Sequence, residues 1–308
     1  MIADSKILIT GGAGFIGVKL IDRYYAKNEI VVYSRDEGKH YYLKKRFPDV
    51  RFIIGDVADR DRLVSAGEGC QYGIFAASLK QIESVDQNFE VANSTIVVGS
   101  FNSRFCAESN NMESACFISS DKSRSATTLY GSMKFTAGES FIVNSEDSHV
   151  RLSTVIYGNV LNSTGSIIPV IWDALSSDYS LSLYHPEMTR FMITACAAVD
   201  TIEYSLKYGD GVNVIPVLVS FSVRDLFDLY CDEFNLQYTI GVPRISEKIH
   251  EILISEEEGQ RAIRQDNHLL MHYRNISGNP SIGERSSRDH QIPKEELRKF
   301  LEEKEWYR

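Results

Sequence analysis

Cysteine, proline and tryptophan are scarce in this 308-residue chain, with 5, 7 and 2 copies respectively. The cysteines are odd in number and show no CxxC spacing, so the sequence indicates neither a disulfide framework nor a zinc site, and we expect no metal. Long apolar runs are also missing, and the chain does not begin with the basic and apolar segments of a secretory leader. We therefore expect a cytoplasmic protein with no membrane partner.

Basic residues are in the minority. The chain has 33 lysines and arginines against 42 aspartates and glutamates, a net charge of −9. Nucleic-acid-binding proteins normally carry a basic surface, so this balance argues against a nucleic-acid partner. An anionic ligand would have to be held by a few local cations and by helix N-termini. The apolar share of 43% is enough for a sizeable core.

Short apolar strand patterns alternate with stretches long enough for helices along most of the chain. This alternation predicts an α/β fold, a Rossmann-type doubly wound parallel sheet with a smaller C-terminal lobe. The resemblance described below implies that this is a substrate-binding lobe. We assign residues 1–158 and 190–216 to the Rossmann domain, and residues 159–189 and 217–308 to the lobe. The sequence also predicts a strand at GVNVIP, helices at SVRDLFDLYCDEF and PKEELRKFLEEKEW, and a surface loop or mobile tail over 274–293.

A glycine-rich turn, TGGAGFIG, follows the first predicted strand and opens a helix. Glycines at three-residue spacing let the backbone turn tightly and approach a pyrophosphate, whose charge the helix N-terminus favours. This context predicts a dinucleotide site. The expected cofactor contacts are Gly11, Gly14, Phe15, Ile16 and Gly17 in the turn, with Val57, Ala76 and Ala77 after later strands.

The end of the second predicted strand selects between NADP and NAD. A carboxylate there favours NAD by binding the ribose 2′-hydroxyl, whereas an arginine beside a small hydroxyl residue favours a 2′-phosphate. Ser34 and Arg35 occupy that position, with Lys39 close behind, so we expect NADP rather than NAD. Asp56, after the third strand, is either an acceptor for the adenine edge or a structural turn residue.

Tyr130 and Lys134 stand four residues apart in a predicted helix, which places both side chains on one face. An ammonium there can lower the pKa of the phenol and make it a base for a hydroxyl that is being oxidised. Tyr41 and Lys45 have the same spacing, but they lie near the adenosine side, where we expect a surface pair.

The glycine turn and the Tyr-x-x-x-Lys spacing resemble the extended short-chain dehydrogenase/reductase superfamily. Five further blocks, FAASLKQIESV, ISSDKSRSATTLYGSMK, IYGNVLNSTGSIIPV, EMTRFMIT and SEKIHEILISEEE, resemble the inverting UDP-N-acetylglucosamine 4,6-dehydratases (4,6-dehydratase/5-epimerases) of polysaccharide biosynthesis. The resemblance implies a UDP-sugar substrate and a homo-oligomer. It also implies that the sugar is oxidised at C4 with NADP, loses water across C5 and C6, and regains hydride at C6.

The same resemblance implies roles for individual residues. In the family's Thr-Asp-Lys motif the aspartate is the acid and the lysine is the base; these positions are Asp121 and Lys122, and Ser120 keeps the hydroxyl of the threonine it replaces. Tyr130 and Lys134 would carry out the oxidation. The implied substrate contacts are Lys80, which also touches the cofactor, Asn159, Arg190, Arg244 and Glu247. Ile245 and Ser246 replace the proline and glycine usual in the turn before Glu247.

Three alternatives remain open. A UDP-sugar 4-epimerase needs only the tyrosine and lysine pair, a 5,6-dehydratase would release an exocyclic alkene, and a non-catalytic NADP-binding regulator needs no poised phenol. Metal chemistry finds little support: an HExxH-like start at His250 is broken at residue 254, and His268 and His272 share a possible helix face without a third ligand.

Overall fold

The structure is a computed structural model that describes residues 1–177, 181–242, 247–274 and 281–306. Within these ranges the strands are β1 (Lys6–Thr10), β2 (Glu29–Ser34), β3 (Arg51–Ile54), β4 (Tyr72–Phe75), β5 (Ser114–Ile118), β6 (Arg151–Val155), β7 (Asn159–Val160), β8 (Leu181–Leu183), β9 (Thr189–Ile193), β10 (Val212–Pro216), β11 (Ser220–Ser222), β12 (Tyr238–Ile240), β13 (Ile252–Ile254), β14 (Ala262–Gln265), β15 (His268–His272) and β16 (Arg285–Ser286).

The α-helices of the same ranges are α1 (Phe15–Tyr24), α2 (Glu37–Arg46), α3 (Arg60–Ala66), α4 (Ile82–Gln87), α5 (Phe89–Asn93), α6 (Gly99–Ser109), α7 (Leu129–Ile142), α8 (Ile167–Ser176), α9 (Ala195–Tyr208), α10 (Val223–Phe234), α11 (Glu256–Gly259) and α12 (Lys294–Glu303). A π-helical turn over Ser94–Val98 joins α5 to α6, and a short 3-10 turn over Asp121–Ser123 precedes α7.

Nine strands form the central sheet in the order β14-β15-β10-β6-β5-β4-β1-β2-β3. The seven strands from β3 to β10 pair in parallel, and β15 and β14 add an antiparallel edge beside β10. The order β3-β2-β1-β4-β5-β6 is that of the Rossmann doubly wound fold, so the predicted fold class is confirmed. In such sheets ligands bind outside the carboxyl ends of the strands, near the point between β1 and β4 where the order reverses.

Apolar layers cover both faces of this sheet, as a parallel sheet requires. Side chains alternate along a strand, so Leu8 of β1 faces one layer while Ile7 and Ile9 face the other. Helices α1 and α9 pack over the layer that contains Ile7, and α3, α6 and α7 pack over the layer that contains Leu8. The sheet is thereby held rigid, and the loops at its carboxyl edge have a fixed base.

A third apolar cluster joins α8, α10 and α12 beyond this edge, with Ile171, Leu226, Tyr230 and Leu297 at its centre. Two small sheets, of order β11-β9-β7 and β12-β8, contribute side chains to this cluster, whereas Leu253 and Ile254 of the β13-β16 pair belong to a fourth apolar cluster. The predicted division into a Rossmann domain and a lobe stays a prediction. Residues 262–272, which we placed in the lobe, contribute β14 and β15 to the central sheet.

Three local predictions are confirmed. The strand predicted at GVNVIP is β10, and the two predicted C-terminal helices are α10 and α12. Pro293 precedes α12 as its N-cap residue, one position before the first helical turn. Among the described residues no helix is long and apolar enough to cross a membrane.

Two predictions are wrong. The described part of 274–293 is not a surface loop, because it contains β16 and the fully buried Ser287. Its polar composition is misleading, since the Ser287 hydroxyl accepts a hydrogen bond from the Glu251 N–H at 2.9 Å and is therefore satisfied inside the protein. His268 and His272 lie on β15 and not on a helix, since the Leu-Leu-Met between them is buried against the sheet.

Candidate active site

The glycine turn lies between β1 and α1. Gly11 has a φ of +66°, and a Cβ at this position would lie 2.9 Å from the backbone of Ala77. Gly14 is the N-cap of α1, where an added Cβ would meet the Gly11 carbonyl oxygen at 3.1 Å and no other atom within 4 Å. The N-terminus of α1 is therefore not covered by side chains of the glycine turn. This turn, here called the glycine cradle, fits the pyrophosphate of a dinucleotide.

A continuous cleft runs from this turn along the carboxyl edge of the sheet. Its outer part, here called the outer cleft, is lined by Gly11, Gly14, Ser34, Arg35, Lys39, Asp56, Val57, Ala76 and Ala77. Its inner part, the inner cleft of about 500 Å³, is lined by Phe15, Ile16, Gly17, Lys80, Ser120, Tyr130 and Lys134. The structure thus brings every predicted cofactor contact to one cleft, and their binding role stays a prediction.

Charged side chains cluster at the mouth of the outer cleft. The Asp36 carboxylate caps α2 by accepting the Lys39 N–H at 2.9 Å, and it also pairs with the Lys39 ammonium at 3.1 Å. Arg35 is 53% exposed and lies 3.5 Å from Asp56. Asp56 also accepts the Ala58 N–H at 3.0 Å, so it closes a turn as well as lining the cleft.

Tyr130 and Lys134 lie buried on α7 at the inner cleft. Burial lowers the pKa of Lys134 to about 7, and its Nζ donates to the Ile118 carbonyl at 2.8 Å. Burial raises the pKa of Tyr130 to about 12, and the nearby cation that opposes this rise is Lys122. Lys134 is not among the groups that shift the pKa of Tyr130, so the expectation that it lowers the pKa of this phenol stays a prediction.

The Ser120, Asp121 and Lys122 side chains follow β5 in a short turn. The Ser120 hydroxyl donates to Asp121 Oδ1 at 2.9 Å and accepts the Lys122 N–H at 3.3 Å. Asp121 is 1% exposed, and its Oδ2 has no hydrogen-bond partner among the described residues. Burial and the nearby charge of Glu251 raise the pKa of Asp121, although Lys122 opposes the rise. Asp121 is thus suited to hold a proton that it can donate.

Lys122 lies between two carboxylates. Its Nζ is 3.4 Å from Asp121 Oδ1, 3.3 Å from Glu251 Oε1 and 3.4 Å from Asn159 Oδ1. Burial alone would lower the pKa of Lys122, but the two carboxylates more than offset this, and the pKa is raised. Lys122 is therefore an ammonium in the free protein and must give up a proton before it can accept one.

Sequence reasoning missed Glu251 as a site residue. Its carboxylate is 2% exposed and also lies 3.7 Å from Lys248 Nζ and 3.8 Å from Arg190 Nε. Burial would raise the pKa of Glu251, but Lys122, Arg190 and Lys248 together lower it, so the group stays ionised. The available signal was its place in the block SEKIHE, where we considered it only as part of a broken zinc motif.

Arg190 joins β9 to the segment that carries Glu251. It donates to Glu247 Oε1 at 2.7 Å and to the carbonyls of Thr189, Lys248 and Ile249 at 2.8, 3.1 and 3.1 Å. Most of its donors are engaged by the protein itself, so it fixes the wall of the pocket. Its predicted contact with a substrate diphosphate stays a prediction.

A side pocket of about 490 Å³ opens beside the inner cleft. Its walls include Lys80, Ser120, Lys122, Tyr130, Asn159, Arg190 and Glu247. The structure therefore brings the predicted substrate contacts together with Ser120, Lys122 and Tyr130, with one exception. Arg244 lies outside the described residues, as do Ile245 and Ser246 of the altered turn.

A buried charge cluster lies beside the turn that carries Ser120, Asp121 and Lys122. Arg124 is fully buried two residues after Lys122, and it pairs with Glu139 of α7 at 2.9 Å and Glu258 of α11 at 2.6 Å. Its guanidinium also lies 5.2 Å from the centre of the Phe135 ring. The cluster ties the turn to the helix that carries Tyr130 and Lys134, and no sequence motif indicated it.

Comparison with known proteins places this geometry in a family. The model of a family described as "Polysaccharide biosynthesis protein" matches residues 7–272. The chain belongs to this family. One relative, the UDP-N-acetylglucosamine 4,6-dehydratase (inverting) of Campylobacter jejuni, is 30% identical over 92% of this chain and 85% of its own length. The UDP-glucose 4-epimerase of Rickettsia bellii is 29% identical over 85% of this chain and 81% of its own length.

Solved structures agree on the fold of this family member. The X-ray structure of Pen from Bacillus thuringiensis is 25% identical, with a TM-score of 0.90 and coverage of 99% of both chains. A double mutant of DesIV, the dTDP-glucose 4,6-dehydratase of Streptomyces venezuelae, was solved with NAD bound. It is 17% identical with a TM-score of 0.69, covers 79% of this chain and 86% of its own, and shows the shared fold alone.

Proposed function

We propose that this family member is an NADP-dependent UDP-N-acetylglucosamine 4,6-dehydratase that inverts C5, a lyase of polysaccharide biosynthesis. The relatives are nucleotide-sugar dehydratases and epimerases, so an enzyme acting on a UDP-sugar is the broader inference. The observation that carries the dehydratase is Lys122, which lines the same pocket as Tyr130 and pairs at 3.4 Å with the buried carboxylate of Asp121. An epimerase acting at C4 has no use for this second acid–base pair.

The oxidation step uses the groups on α7. A nicotinamide held in the inner cleft would supply the hydride acceptor for C4 and the hydride donor for C6. Tyr130 takes the proton of the C4 hydroxyl, and the Ser120 hydroxyl next to it binds the C4 oxygen. Because burial raises the pKa of Tyr130, its phenolate depends on cations, and Lys122 is the one that acts on it in the free protein.

The elimination step uses Asp121 and Lys122. The C4 ketone acidifies the C5 proton, so a base must take that proton while an acid protonates the leaving C6 hydroxyl. Transfer of one proton from Lys122 Nζ to Asp121 Oδ1, 3.4 Å away, turns the ion pair into a neutral amine and a carboxylic acid. The Lys122 amine is then the base for the C5 proton, and the Asp121 carboxylic acid protonates the C6 hydroxyl. Inversion then requires that C5 regain a proton on its opposite face.

The outer cleft supports NADP over NAD. Asp36 is the nearest carboxylate after β2, and it is engaged by the α2 cap and by Lys39, whereas Arg35 is exposed at the cleft. The DesIV structure contains NAD, but DesIV is only 17% identical to this chain. Its cofactor therefore does not decide between NAD and NADP here, and the choice rests on the residues of this chain. A homo-oligomer stays a prediction from the family resemblance.

Lys122→Met separates the dehydratase from its rivals, because it removes the base and keeps the length of the side chain. With UDP-N-acetylglucosamine we expect transient reduction of bound NADP to be slower, because Lys122 also favours the Tyr130 phenolate, but still detectable, while formation of the 4-keto-6-deoxy product falls by about 100-fold or more. The matched control Tyr130→Phe should lose both signals. If both the wild type and Lys122→Met only interconvert C4 epimers, the protein is an epimerase. If the wild type reduces bound NADP with no UDP-hexose, the non-catalytic regulator is favoured.

A further inference from the structure

A buried histidine lies directly behind Ser34 at the outer cleft. Ser34 ends β2, is half-buried and lines the cleft. His40, one turn into α2, is 6% exposed, and its Nε2 lies 2.6 Å from Ser34 Oγ. The imidazole also packs against Phe52, with ring centroids 5.1 Å apart. No sequence motif singles out His40.

The surroundings of His40 determine which nitrogen carries its proton. Burial lowers the pKa of His40, although the charge of Asp36 opposes this, so the ring is neutral near neutral pH and has one N–H. Nδ1 is buried and has no hydrogen-bond partner among the described residues. An N–H at Nδ1 would be a buried unpaired donor, which is rarer in folded proteins than an unpaired acceptor. The proton therefore lies on Nε2, which donates to Ser34 Oγ.

This tautomer gives the Ser34 hydroxyl a direction. Its oxygen accepts from His40, so its own hydrogen cannot point at the ring and is turned toward the cleft. A hydroxyl held as a donor prefers a ligand group that only accepts, and a phosphate dianion is such a group. Arg35 and Lys39 add positive charge to the same cleft.

We propose that His40 is a specificity-determining residue that makes Ser34 an obligate donor to the 2′-phosphate of a dinucleotide. His40 acts through Ser34 and does not touch the ligand. The inference rests on the NADP part of the proposed function and adds the residue that enforces the choice. It concerns cofactor selection alone and is independent of the reaction at the sugar.

Titration calorimetry of the full chain with 2′,5′-ADP and with 5′-AMP tests this proposal, because the two probes differ only in the 2′-phosphate. His40→Phe keeps a ring against Phe52 and removes the donor, so we expect the Kd for 2′,5′-ADP to rise about tenfold with that for 5′-AMP unchanged. His40→Gln, which keeps an N–H donor, should restore most of the affinity. Ser34→Ala should match His40→Phe, and the double variant should lose no more than either single variant.

The outcomes separate this proposal from the function on which it rests. If the wild type binds 5′-AMP as tightly as 2′,5′-ADP, the choice of NADP fails and this inference fails with it. If the wild type prefers 2′,5′-ADP and a folded His40→Phe keeps that preference, only the role of His40 is overturned. Nitrogen-15 NMR of the wild type tests the tautomer without any variant: a proton on Nε2 supports the proposal, and a proton on Nδ1 overturns it.

Discussion

Replacing Arg124 by methionine tests whether the buried charge cluster holds the catalytic turn. The change keeps the apolar stem but removes the fully buried one of the two arginines that contact both Glu139 and Glu258. Removing one partner of a buried ion pair costs about 3–5 kcal/mol. Arg261 remains 3.9 Å from Glu139 and 3.6 Å from Glu258, so we expect the lower end, a loss of about 3 kcal/mol in the free energy of unfolding.

Urea denaturation followed by circular dichroism measures this loss of free energy. In a thermal melt, the Tm should fall by roughly 6 °C, because a chain of this size loses about 2 °C of Tm per kcal/mol. The matched control is Arg46→Met, which removes a 58% exposed arginine paired with Asp22 at 2.5 Å. An exposed pair contributes about 0–1 kcal/mol, so this variant should stay close to the wild type. If both variants lose the same amount, the cluster around Arg124 is not a support of the fold and the reasoning is refuted.

Three further predictions concern the cleft. Gly11→Val adds a Cβ at a φ of +66° against a neighbouring backbone, so calorimetry should show the Kd for NADP raised by about 100-fold or more; a change below about threefold would contradict the cradle. Burial holds the pKa of Lys134 at about 7 against an ordinary 10.5, so the unfolded chain binds more protons between these values and stability rises with pH there. Lys134→Met should flatten that rise in denaturation curves, and an unchanged slope would show that Lys134 is not the titrating group. Glu251→Gln should lower kcat for dehydration about tenfold with little change in KM. The control is Glu203→Gln, because Glu203 is also buried and contacts three cations but lies away from the cleft, so this variant should lower stability only. Equal kinetic effects of the two variants would remove Glu251 from the site.

The parts of the fold that depend on local pattern were predictable from the sequence. The glycine turn, the alternation of strands and helices, and β10 all follow from residue type and short-range periodicity. The antiparallel edge β15-β14 was not predicted, because its pairing with β10 is set by contacts between segments far apart in the chain. The polar stretch around Ser287 was misassigned for a related reason. The Ser287 hydroxyl forms hydrogen bonds with the Thr189 hydroxyl of β9 and with the Glu251 N–H, and both partners are distant in the sequence.

The candidate site shows the same limit. The resemblance provided Asp121, Lys122 and Tyr130; the structure places Lys122 and Tyr130 around one pocket and pairs Asp121 with Lys122 at 3.4 Å. Their protonation could not be read from the sequence, because the pKa of Lys122 depends on Glu251, which lies 129 positions later in the chain but 3.3 Å away. The tautomer of His40 likewise depends on which of its nitrogens finds a partner once the ring is buried.

The most direct test of the proposed function is a proton NMR time course of the protein with UDP-N-acetylglucosamine and NADP in deuterated water. The dehydratase mechanism predicts a new C6 methyl signal, deuterium at C5, and ring couplings that report inversion at that carbon. Appearance of only the C4 epimer, or of an exocyclic alkene, would contradict the 4,6-dehydratase and leave the fold and the cleft as described.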